Sequence, residues 1–463
     1  MKRKSLQTIM YISILLFMIA INKRTVLAEG EPVKIYTESD LLKIADDPAG
    51  DYILMNDLDM RDTEWLPVDF TGTFDGNNHA ILNLKIRNTS DATRTTYDGN
   101  YKTYDTYFAG LFGVLEDATV KNLTLKGIDV HVQKEEPCFI GSIAGFAERS
   151  NIENCNIEGM LQLDVKTKMF GVGGIVGYGG DGAIKETSAI VTLICIDYDA
   201  ANRDEQFMGG AYSAGYLDVD KCYIKIDGYD SDHGYVHNGG LVGMYILYPL
   251  GNNYAGYINN TRVEGIITFF EDNTDRRAYC KDFIGEVMNW TYEYVGNSSD
   301  FTRNEIKDYS KNLLPHYCEG NEYDKEEIPG SCEDFGFNVY TCRECGEYKF
   351  KANYTLKNHD ITEWETIEEP TFEEEGLAKG VCSICQSEVY KILPVKEEEI
   401  IEEPVVVEEV APVEDTTLEQ AEVKEEEKDE KAMGTLLVIG LVISLGLVVA
   451  IATVLLRGRH KKR

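Results

Sequence analysis

Basic charge is scarce in this sequence: 45 Lys and Arg stand against 80 Asp and Glu, for a formal net charge of −35. Phosphate backbones are held by clustered cations, so nucleic acid is excluded as a partner. Histidine is scarce as well, with 7 residues. No HExxH occurs, so a zincin-type peptidase site is missing. A sorting signal of the LPxTG type is also missing, which leaves an apolar helix as the expected anchor. Long apolar runs are confined to two places. Residues 9–21 follow Lys2, Arg3 and Lys4 and lead to Val26-Leu27-Ala28, the pattern of a secretory signal peptide over 1–28. Residues 432–456 carry no charge and, at ~1.5 Å per residue, are long enough to cross a ~30 Å hydrocarbon core. Residues 457–463 are the basic tail expected on the cytoplasmic side. The expectation is a single-pass cell-membrane protein with its bulk outside.

Between the two apolar segments, a glycine block keeps returning: Gly110-Leu111-Phe112-Gly113, then Gly141 to Gly145, Gly173 to Gly177, Gly209 to Gly215 and Gly239 to Gly243. Each is followed by a six-residue block whose columns can be compared, beginning at Val120, Ile152, Ile184, Val219 and Ile258. The fourth and sixth columns are small or apolar while the fifth is mostly polar, the alternation of a strand. The first column is always Val or Ile. It lies an odd number of residues from the fourth, so the chain must bend between them to bury both. The third column reads Asn122, Asn154, Glu186, Lys221 and Asn260, and stacked Asn side chains can hydrogen-bond along a ladder. One repeat then makes one coil of a parallel β-solenoid, and no coil buries its core alone.

Paired glycines around an apolar centre, followed by the Asn-bearing strand, resemble the GLUG repeats of bacterial surface proteins. The segments 52–60 and 70–84, with Trp65, match the opening of such solenoids. The resemblance covers about 33–287 and implies a right-handed parallel β-helix of the kind found in adhesins. The β-helix region with its cap is therefore set at 33–300. Ser39 and Asp46-Asp47-Pro48 bracket a short apolar helix that would cap the first coil. Two tyrosine-rich inserts, 91–107 and 245–257, depart from the coil. Loops on rigid scaffolds carry function, so Tyr97, Tyr101, Tyr104 and Tyr107 are the candidate ligand contacts.

Six of the 11 cysteines crowd into the last part of the body. Residues 315–395 hold Cys332, Cys342-Arg-Glu-Cys345, His359 and Trp364, then a degenerate second copy with Cys382-Ser-Ile-Cys385. The pattern resembles small doubled Cys repeats of extracellular bacterial proteins, with Phe372 where that family usually has Cys. Two CxxC knuckles suit a zinc-ribbon-like site, so Cys342, Cys345, Cys382 and Cys385 are the candidate ligands of a structural Zn. Disulfides, including Cys318 with Cys332, and free thiols are the alternatives. Each would stabilise a module too small for a large core. Residues 396–431 are Glu-rich with Pro404 and Pro412, an extended acidic stalk.

No catalytic constellation is expected. Ser213 sits in a near match to a nucleophile elbow but falls within the glycine block. His233 and His237 would stand ~13 Å apart on a strand. Asp227, Asp230 and Asp232 read as a solvated turn. The expected function is display and binding of an extracellular glycan or of a host or cell-surface protein. A β-helical carbohydrate-active enzyme and a purely structural envelope stalk are the alternatives.

Overall fold

The computed structural model describes residues 31–98, 102–197, 205–230, 235–246, 257–270, 279–287, 293–306 and 322–396. The expected signal peptide, membrane helix and tail, and all of the stalk beyond Lys396, lie outside them. Among the described residues no helix is long and apolar enough to cross a membrane. What they form is an all-β parallel solenoid, with sheets of 13, 10 and 7 strands, followed by two three-stranded antiparallel sheets.

The repeat columns become ladders. Leu125, Ile157, Ala189, Ile224 and Val263 stand in register in successive coils, and all five are buried in one continuous core. The first column, Val120, Ile152, Ile184, Val219 and Ile258, is buried in the same core. The bend that this requires is at the third column. Asn122, Asn154, Glu186, Lys221 and Asn260 all take positive φ, between 49° and 53°. Asn tolerates that left-handed conformation better than other side chains, which accounts for its recurrence there.

The expected Asn ladder is present in part. Asn154 Nδ2 donates to Asn122 Oδ1 at 2.9 Å, and Asn122 Nδ2 to Asp75 Oδ1 at 2.9 Å. Where Asn gives way to Glu186 and Lys221, an ion pair at 2.8 Å replaces the amide contact. In the next column Thr187 and Thr261 accept hydrogen bonds from the backbone N–H groups of Cys155 and Cys222, at 3.2 and 3.3 Å. The glycine block is explained by close approach. A Cβ on Gly173 would collide with the Val176 carbonyl, and one on Gly174 with the Gly210 carbonyl of the next coil.

The first coil is capped by a helix, Glu38–Leu42, and a 3-10 turn, Lys43–Ala45. The sequence placed its start at Ser39, but the N-cap is Thr37. Thr37 and Asp40 form a reciprocal capping box, and its two bonds decide the boundary. The expected insert over 91–107 is a β-hairpin at the edge of the 7-stranded sheet: Arg94–Tyr97 pairs antiparallel with Thr103–Ala109.

Candidate metal centre and the cleft beside it

Each copy of the cysteine module is one three-stranded sheet. The first is Tyr323–Ile328, Gly336–Cys342 and Lys349–Thr355, and the second is Ile361–Glu368, Gly376–Cys382 and Glu388–Leu393. Both middle strands end on the first cysteine of a CxxC knuckle. The knuckles are closed alike, by Gly346 N–H to the Cys342 carbonyl at 2.9 Å and by Gln386 N–H to the Cys382 carbonyl at 3.0 Å. The residue after each knuckle, Gly346 or Gln386, has positive φ, 69° and 63°.

The thiols do not group by motif. Cys382 and Cys385 meet Cys332, with all three sulfurs within 4.8 Å of one another. Cys342 and Cys345 belong to no such group among the described residues, so the expected four-cysteine set is not assembled. The reason is register: Cys342 ends a strand of the other sheet, and the loop that reaches the second knuckle is the one carrying Cys332. Cys332, offered above as a disulfide partner of Cys318, is a free thiol, and Cys318 lies outside the described residues. His359 Nδ1 is 3.4 Å from Cys385 Sγ.

The surroundings favour the thiolate at Cys382 and disfavour it at Cys332. Backbone N–H groups of Cys385 and Ile384, with His359 and Asp360, hold the Cys382 thiol down to about 6. Loss of solvent and the neighbouring Cys385 and Cys382 raise Cys332. Three sulfurs in one place, one of them easily ionised, can hold a soft or borderline metal ion.

The module does not trail from the end of the solenoid; it is folded back on the first coils. Asn83 makes a reciprocal amide pairing with the Tyr354 backbone. Its Oδ1 accepts from Tyr354 N–H at 2.8 Å and its Nδ2 donates to the Tyr354 carbonyl at 2.8 Å. Asn56 treats Tyr390 of the second copy in the same way, at 2.9 and 3.0 Å. The Tyr354 side chain is 2% exposed and packs with Ala80, Leu82, Phe335 and Phe337. Its hydroxyl donates to Glu158 at 2.6 Å. The ring fits because residue 127 is glycine at a strand irregularity: a Cβ there would come within 2.8 Å of Tyr354 Cδ2. The module therefore covers part of the first coils.

Docking leaves a cleft of about 780 Å³ between the cap, the first coils and the second sheet. Its walls include the Tyr36–Tyr390 ring pair, 5.3 Å between centroids, with Asn77, Asn78, His79 and His359. Asp57 lies 3.4 Å from His79. Partial burial and the charges of Asp59 and Asp62 raise the Glu38 carboxyl on the same wall. Sequence reasoning missed this cleft, because its residues come from both ends of the described chain.

The other candidates are placed as follows. Tyr97, Tyr104 and Tyr107 are half-buried on the hairpin, and Tyr101 lies outside the described residues. Lys102 sits over the Tyr104 ring at 4.8 Å and Lys134 over Tyr107 at 4.0 Å. Ser213 is fully buried within strand Tyr212–Asp220 and donates to the Gly177 carbonyl at 2.5 Å. His237 is buried and stacked on Phe207, while His233 and Asp232 lie outside the described residues. Asp230 is not a solvated turn residue. It is fully buried and accepts from Asn238 Nδ2 at 2.7 Å. Asp227 is pushed up by burial and bonded by the Tyr229 hydroxyl at 3.0 Å. No family model and no curated protein matches this chain.

Proposed function

We propose that this protein is an extracellular display and binding protein, held at the cell membrane by residues 432–456, that takes a glycan in the cleft between module and solenoid. On this reading its repeats are of the GLUG type, its solenoid is right-handed, and its thiol group is a structural zinc staple. The observation that carries the proposal is the lining of the cleft. Flat tyrosine rings offer apolar faces for sugar rings, and the surrounding amides, carboxylates and imidazoles offer donors and acceptors for hydroxyls. Its volume of about 780 Å³ suits a ligand of a few rings. The net charge of −35 and the acids Glu38, Asp57 and Asp59 on the wall favour neutral or amine-bearing sugars over sulfated or sialylated ones. The hairpin tyrosines are a second candidate surface for a protein ligand, since their lysines make an aromatic, cationic patch on an acidic chain. A glycan array probed with the full chain tests the proposal. Selective capture of neutral or amino sugars supports it, and no capture, or capture of polyanionic glycans alone, refutes it.

A further inference from the structure

The two copies of the module can be compared residue by residue through their turns. Ser331 N–H bonds the Asp334 carbonyl and its hydroxyl accepts from Glu333 and Asp334. Thr371 does the same with Glu374 and Glu373. Cys332 and Phe372 are therefore the same position. The Ser331 carbonyl then accepts from Asn358 N–H at 2.9 Å, and the Thr371 carbonyl from Lys396 N–H at 2.7 Å. The turn of one copy is thus tied to the chain that leaves it. For the first copy that outgoing chain is Asn358-His359, the start of the second copy.

We propose that Cys332, His359, Cys382 and Cys385 form one tetrahedral Cys3His zinc site built between the two copies, with the first copy supplying the turn cysteine. This rests on the zinc reading above and replaces its ligand set. The sulfur distances fit. With Zn–S at ~2.3 Å and Zn–N at ~2.0 Å, a tetrahedron has S–S edges of about 3.8 Å and S–N edges of about 3.5 Å. The three sulfurs lie within 4.8 Å of one another, and His359 Nδ1 is 3.4 Å from one of them, Cys385 Sγ, without lying within 4.8 Å of all three. The His359 ring must turn further toward the sulfurs to complete the set around an ion.

The same register explains Phe372, which is 62% exposed. Its turn is the last one in the pair, so no following knuckle needs its cysteine. It also predicts that the first knuckle is not equivalent. Glu322 bonds Arg343 N–H as Asp360 bonds Ser383 N–H, so the first copy has Asn321 where the second has His359. His359 lines the cleft as well, so an ion that fixes its ring also fixes part of the cleft wall.

The test is zinc content and cobalt substitution in the purified full chain. The wild type should hold about one equivalent of zinc. Cys332→Ser and His359→Ala should each lose it or bind it at least tenfold more weakly. Cys342→Ser should keep it. His359→Cys should restore binding with stronger sulfur-to-cobalt charge transfer, which shows that the position and not the fold was at fault. Zinc binding unchanged in His359→Ala, or lost in Cys342→Ser but kept in Cys332→Ser, would overturn this ligand set while leaving a zinc staple in place. A wild type that takes up no zinc would end both readings.

Discussion

Replacing Tyr354 with Ala should undock the module while leaving the solenoid folded. The ring is 2% exposed and is the largest member of a small apolar cluster with Ala80 and Leu82. Truncating a buried aromatic costs about 3–5 kcal/mol. The hydroxyl bond to the Glu158 carboxylate, at 2.6 Å, adds to this, since bonds to charged groups are worth about 1.5–3 kcal/mol. Glu158 keeps Lys126 at 3.1 Å and Lys351 at 3.4 Å, so the loss should fall at the lower end of that range. The backbone pairing with Asn83 survives the substitution, because it uses no side-chain atom of Tyr354. Tyr354→Phe should then cost about 1–2 kcal/mol and Tyr354→Ala about twice that or more. Hydrogen exchange read by peptide separates the parts. Strands Lys349–Thr355 and Gly336–Cys342 should exchange at least tenfold faster in Tyr354→Ala, with strands Ala144–Glu153 and Val176–Lys185 unchanged. Uniform acceleration through the solenoid, or none anywhere, would refute the docking argument.

Docking should also depend on pH at both ends. Burial alone would raise Glu158, but Tyr354, Lys126 and Lys351 hold it below its ordinary 4.5, so its contribution is full above that value and is lost as pH falls through the lowered one. Burial and Glu158 raise Tyr354 above its ordinary 10.0, so its contribution is full below 10.0 and is lost as pH rises further. Exchange protection of Lys349–Thr355 should therefore plateau between the two and fall outside them. Ile157→Ala, in the central column, should lower solenoid stability by about 2–5 kcal/mol in a denaturant melt; a change under ~1 kcal/mol would mean the column is not core. Cys155 and Cys222, both pushed up to about 12 by burial, should resist alkylation until the protein unfolds. With Thr187 in the column between them they lie ~9.6 Å apart, too far for a disulfide, so mass mapping should never find them joined.

What the sequence revealed and what it hid follow from where each residue's constraint comes from. The coils were legible because Gly173, Asn122 and their repeats answer to local backbone demands, a close approach or a positive φ, that recur at each turn of the chain. The buried column from Leu125 to Val263 was legible for the same reason. The docking of the module was not, because Asn83 and Tyr354 lie 271 positions apart, and Asn56 and Tyr390 334 apart, with no period linking them. The thiol group was half legible. Both knuckles stood out, but among the described residues the sulfurs that meet are those of the second knuckle and Cys332, which the loop geometry brings there. The one available hint was Phe372 at a cysteine's position, and it points to Cys332 only once the turn register is known.

The central claim is that the cleft between module and solenoid is the ligand site, and Leu356→Trp tests it most directly. Leu356 lines the cleft and is exposed, so an indole there fills the space without disturbing the core. Ligand selected on the array should be titrated calorimetrically into wild-type and Leu356→Trp full-length protein, with equal melting temperatures confirmed first. The account predicts at least a tenfold loss of affinity in the variant, and equal affinity in the two would contradict it.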